Sequence, residues 1–158
     1  MKKLSSALPV IVVVAIIIAL FAWGIASQNK NMTYIPGTNV ACLPQGHQNL
    51  KTHIHPLMTI TMDGIPETLP TDIGITGDCM AEVHTHDTTG TLHVETVDAS
   101  RLDALTLADF FDVWGTTFER EHFSVSLTVD GEEMIKIDPS MIHFRDGQRF
   151  NITYTSIR

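Results

Sequence analysis

The 158-residue chain is short of charge, and above all of positive charge. Only 18% of its residues are charged, with 10 Lys+Arg against 18 Asp+Glu. That deficit excludes a nucleic-acid backbone as partner, which calls for a basic stripe. With 44% hydrophobic residues the chain is not intrinsically disordered either. Two cysteines are too few for a disulfide-dense scaffold. No HExxH zinc motif occurs, and the HxH…E spacing is not that of a cupin metal motif. The length suits one compact domain. One residue type is abundant where others are scarce: there are 8 histidines, nearly as many as all lysines and arginines together.

Charge is absent altogether from residues 7–26, ALPVIVVVAIIIALFAWGIA, and no acidic residue precedes Asp63. Twenty apolar residues match the length of a membrane-crossing helix. Lys2 and Lys3 on its short side favour a cytoplasmic N-terminus, and Trp23 suits the far interface. The expectation is an N-terminal membrane anchor over 1–26, with membrane contact through 7–26 and the remaining chain extracytoplasmic. A cleaved signal peptide is the rival, with small residues at Gly24-Ile25-Ala26. Beyond residue 26 the count is 8 Lys+Arg against 18 Asp+Glu, or −10. Residues 27–52 are polar, with Pro, Gly and Asn punctuation, and read as a tether. The folded domain is expected over 53–158.

Periodicity there points to short strands and one helix. MTITMDGIPETL (58–69) and FSVSLTVDGEEMIKI (123–137) alternate around Asp63-Gly64 and Asp130-Gly131. Asp-Gly between alternating apolar residues signals a hairpin. A shift of 67 positions lays one hairpin over the other, and His55 over His122, which fits an internal duplication or two ordinary hairpins. TLADFFDVWG (106–115) spaces Leu107, Phe110, Phe111 and Trp114 along one helix face, between a capping box at Thr106/Asp109 and Gly115. That stripe reads as core. DGQRFNITY (146–154) reads as a turn into a last strand. The expected class is α+β, with a small, mostly antiparallel sheet and one short helix after the N-terminal transmembrane helix; a β-grasp-like arrangement is one candidate.

The chemistry concentrates in MAEVHTHDTTGTLHVET (80–96). A loop at 87–90 gives a register in which paired positions sum to 177. His84 then opposes His93, and Glu82 opposes Glu95. Alternation puts Glu82, His84, His86, His93 and Glu95 on one face, with Val83, Leu92 and Val94 turned to a core. Opposed Cβ atoms lie about 5 Å apart, so the imidazoles can converge on one ion. Neutral imidazole suits zinc, copper, iron or nickel. Two opposed glutamates also need an offsetting charge, which a cation or protonated histidines supply. Either glutamate can serve as a further ligand or hold an imidazole N–H.

His53 and His55 form a second pair on one face, able to complete this site or make another, although Pro56 interrupts the strand. His122 and His143 read as single structural or exposed residues, and His47 as part of the tether. Cys42 and Cys79 read as a disulfide; the competing role is as a thiolate ligand beside the histidine strand. Three classes of function fit. The first is a membrane-tethered copper- or zinc-binding module, with copper kept open by seven methionines, including Met58, Met62 and Met80. The second is a metal-dependent hydrolase or hydratase, with His84, His86 and His93 on zinc and a glutamate as base. The third is an interaction or pH-sensing domain without metal.

In order along the chain stand Cys42, His53-x-His55, Asp63-Gly64, IPETLPTDIGI (65–75), Cys79, VHTHDTTGTLHVE (83–95) and TLADFFDVWG (106–115). This resembles an uncharacterised family of small secreted or membrane-anchored prokaryotic domains. The likeness covers most of 42–137, and HTHDTTGTLHVE is its specific signature, through His84, His86, Asp87, Gly90, His93 and Glu95. It implies that these positions belong together, and supplies no activity.

Overall fold

The computed structural model describes residues 12–18, 32–43 and 46–157. The chain forms two compact units, Met1–Met32 and Thr33–Arg158. Within the first, residues 12–18 are helical. Most of the expected membrane segment lies outside the described residues. Among those described, no helix is long and apolar enough to cross a membrane.

The second unit is α+β, mostly antiparallel, in three sheets. Its strands are β1 (Thr52–Ile54), β2 (Leu57–Met62), β3 (Ile65–Glu67), β4 (Ile75–Thr76), β5 (Cys79–Met80), β6 (Val83–His84), β7 (His93–Thr96), β8 (Phe123–Val129), β9 (Glu132–Glu133) and β10 (Arg149–Ser156). The largest sheet runs β3-β2-β10-β8-β9, a second β1-β7-β6, and a third is the pair β4-β5. Both Asp-Gly hairpins form, with positive φ at both turn residues: 48° and 81° at Asp63-Gly64, 54° and 88° at Asp130-Gly131. These are the angles that a type I′ turn demands. The central strand β10 runs antiparallel to β8 but parallel to β2. This strand order does not establish a β-grasp.

The one α-helix among the described residues of this unit, α1 (Leu107–Trp114), begins where its capping box predicts. The Thr106 N–H and hydroxyl both donate to the Asp109 carboxylate, each at 2.8 Å. Gly115 ends it in the left-handed conformation at φ 75°. Leu107, Phe110 and Phe111 are buried and join Met58, Ile60, Leu127, Phe150, Ile152 and Tyr154 in a single core. The aromatic stripe therefore packs the sheet.

Part of the sequence-level tether belongs to this unit. Val40, Ala41 and Leu43 are buried, Cys42 bridges Ala81, and Leu43 N–H donates to Met80 O at 2.7 Å. A polar composition hides this because three apolar residues and one disulfide suffice to dock so short a segment. Cys42 and Cys79 are joined, with Cα atoms 5.1 Å apart. This removes the thiolate-ligand alternative and is consistent with an oxidising, extracellular setting.

Candidate metal centre

The three-stranded sheet β1-β7-β6 builds the site. Val83 pairs with Val94 and His84 with His93, while Glu95 N–H donates to Glu82 O at 2.7 Å. This is the sum-177 register read from the sequence. On the other side of β7, His53 pairs with Glu95. Two residues further along that register His55 meets His93, with ring centroids 4.7 Å apart. Two rows thus cross the sheet: His55, His93 and His84, then His53, Glu95 and Glu82.

Two local devices hold the hairpin. Asp87 accepts from the Thr89 N–H and hydroxyl at 2.8 and 2.6 Å, which fixes the turn. Gly90 follows at φ 83°, where a Cβ would stand 2.2 Å from Met58 O. Only glycine lets the hairpin lie that close to β2, where Met58 N–H donates to Gly90 O at 2.8 Å.

Six of the eight histidines meet here. His86 lies beside His84 and His93, with ring centroids 4.7 and 4.5 Å apart. The sixth is His47, which the sequence had left in the tether; its ring is 5.3 Å from that of His86 and 6.0 Å from that of His84. A signal for it existed. The disulfide plants Cys42 beside the histidine strand, and His47 follows five residues later. Beyond it, Lys51 N–H donates to Thr96 O at 2.7 Å. His122 and His143 are exposed and stand apart from the cluster.

The ligand-capable atoms fall into three overlapping sets: His47, His84 and His86; His53, His55 and His93; and His84, His93 and Glu95. Within each set they lie within 4.8 Å of one another. His84 is fully buried. Its Nδ1–H donates to Ala81 O at 2.8 Å, so Nε2 carries the lone pair, and that atom lies 3.2 Å from His86 Nε2. Glu95, also fully buried, faces His47 Nδ1 at 2.9 Å and His53 Nε2 at 3.0 Å. A carboxylate only accepts, so both facing nitrogens carry protons, and in the neutral tautomers the lone pairs lie on His47 Nε2 and His53 Nδ1. Among the described residues, His93 Nδ1 is the one buried side-chain nitrogen or oxygen without a hydrogen-bond partner.

Burial makes two of these imidazoles, His84 and His93, poor bases. It pushes the His84 pKa down to about 3, against a partial opposing effect of the Ala81 hydrogen bond, and His86, His93 and His47 add to the depression. Burial likewise takes His93 down to about 4, helped by His86, His55, His53 and His47. Both are neutral, and so competent as ligands, at physiological pH.

Glu82 stands apart from these sets. Its carboxylate accepts from Arg101 Nη2 at 2.6 Å, Arg101 Nε at 3.1 Å and Ala41 N–H at 3.0 Å. Arg101 therefore offsets one of the two opposed glutamates, the charge that the sequence had assigned to a cation or to histidines. Nothing in the local sequence marks Arg101 for this task. Met58 lies in the apolar core. Compared with known protein families, curated proteins and solved structures, the chain matched none.

Proposed function

We propose that this chain is a membrane-tethered, extracytoplasmic domain that binds copper or zinc, with an ion held by His47, His84 and His86. The carrying observation is the His84–His86 pair. Two cis ligands of a tetrahedral ion with metal–nitrogen bonds of about 2.0–2.1 Å lie about 3.3 Å apart. His84 Nε2 and His86 Nε2 are 3.2 Å apart, and the Ala81 carbonyl already fixes the His84 tautomer. A ligating histidine that gives its other N–H to a backbone carbonyl is the usual supporting arrangement. An all-imidazole set suits copper or zinc and disfavours calcium or magnesium. The anchor rests on the apolar run 7–26, and the compartment on the Cys42–Cys79 bond.

Metal analysis of the purified full-length chain tests this reading, beside His47→Ala and His84→Ala/His86→Ala variants. The wild type is expected to retain copper or zinc through dialysis and the double variant to hold at least one equivalent less, with His47→Ala weakened. A metal-replete wild type that binds neither ion would overturn the proposal.

A further inference from the structure

The cluster holds more donors than one ion can use, and its six histidines fall into two sets, spanned by a third set of His84, His93 and Glu95. His47, His84 and His86 form one converging set, and His53, His55 and His93 another. The two share no residue. Resting on the reading of this cluster as a metal centre, we infer that His53, His55 and His93 form a second site for copper or zinc, so that the centre takes two ions with Glu95 between them.

Three observations carry this. Glu95 reaches one histidine of each set, His47 at 2.9 Å and His53 at 3.0 Å. A single buried carboxylate thus orients a ligand on both sides, and removing it acts on both sites. Second, His93 Nδ1 is buried without a hydrogen-bond partner and lies 3.8 Å from Glu95 Oε1. A buried nitrogen without a partner is unfavourable, and a bound ion would satisfy it. Third, the second set is built into the sheet rather than scattered over a surface. His53 is fixed opposite Glu95 by the β1–β7 register, and the ring centroids of His53 and His55 are 4.5 Å apart. Both side chains face outward enough for entry, with His53 43% exposed, whereas His84 of the first set is fully buried.

The test is stoichiometry on the metal-free full-length chain, titrated with Cu(II) or with Zn(II) and read by native mass spectrometry. Two equivalents are expected for the wild type, one for His53→Ala/His55→Ala, and one for His84→Ala/His86→Ala. The partly exposed His53 and His55 are positions where substitution leaves the fold intact, and far-UV circular dichroism checks this. Loaded with two equivalents of Cu(II), the wild type should give an electron paramagnetic resonance spectrum broadened by coupling between neighbouring ions. His53→Ala/His55→Ala should give the sharp spectrum of an isolated ion. Saturation at one equivalent, unchanged in His53→Ala/His55→Ala, would remove the second site and leave the first intact. Loss of all binding in either double variant would mean one shared site, and also overturns this inference. No binding by the wild type at all is the separate failure of the metal reading itself.

Discussion

At the residue scale the two opposed glutamates show how position decides role. Glu82 and Glu95 face each other across the β6–β7 hairpin and both are fully buried, yet one is held by Arg101 and the other by histidines. Glu82 with Arg101 pairs a fully buried carboxylate with a partly exposed guanidinium, and removing the arginine strands the buried charge. Arg101→Ala is expected to cost about 3–5 kcal/mol in urea unfolding, and adding Glu82→Gln should recover a large part of it. A loss below about 1 kcal/mol would show that Glu82 is satisfied without Arg101. Glu95→Gln acts on function instead. It keeps the shape but presents an amide where His47 and His53 expect an acceptor. Its zinc affinity, measured by competition with a chromophoric chelator, should fall about 10- to 100-fold, with little change in the circular dichroism spectrum. Unchanged affinity would remove Glu95 from any part in orienting the ligands.

At the scale of elements, strands β1, β6 and β7 carry His53, His84 and His93, His55 and His86 lie just beyond the ends of β1 and β6, and the disulfide-anchored segment delivers the sixth. Cys42→Ala/Cys79→Ala should therefore do two things. It frees a loop with a sequence separation of 37, worth about 3–4 kcal/mol in the chain-entropy picture, and it loosens His47. The expected result is a lower unfolding midpoint together with weaker metal binding; a lower midpoint with unchanged affinity would mean that His47 is placed by its own packing. Elements with strong local signals were legible in the sequence: both Asp-Gly turns, the Thr106/Asp109 cap, and the histidine hairpin with its register. Each rests on residues close together in the sequence, within a single hairpin or helix. The pairing of β1 with β7, the parallel run of β2 beside β10 and the reach of Arg101 to Glu82 were not legible. They join residues 19 to 92 positions apart, and nothing local in an amphipathic strand names its partner. His47 falls between, because the disulfide pointed to it and the polar composition of its segment pointed away.

For the molecule as a whole, the cluster ties stability to pH. His84 and His93 titrate near 3 and near 4 in the folded state, against about 6.5 when unfolded. Below pH 6.5 the unfolded chain therefore binds protons that the folded chain refuses. Stability rises with pH wherever the unfolded state holds more protons, so acidification from 6.5 towards 4 destabilises the metal-free protein. Each fully depressed histidine contributes up to about 1.4 kcal/mol per pH unit. His84 is fully buried and approaches that limit; His93, with its side chain 21% exposed, contributes less. The window from pH 7.5 to 5.5 keeps the carboxylates out of the effect, because they ordinarily titrate near 4 and stay ionised there. In the presence of chelator the urea midpoint should fall over that window, and His84→Gln should flatten the fall. Bound metal makes the dependence steeper, because ion and proton compete for the same nitrogens. Loaded protein should be stabilised most at pH 7.5 and converge on the metal-free curve as the pH drops. A metal-free midpoint that is level from pH 7.5 to 5.5 would mean that the cluster is open enough to water for its histidines to charge in the folded state.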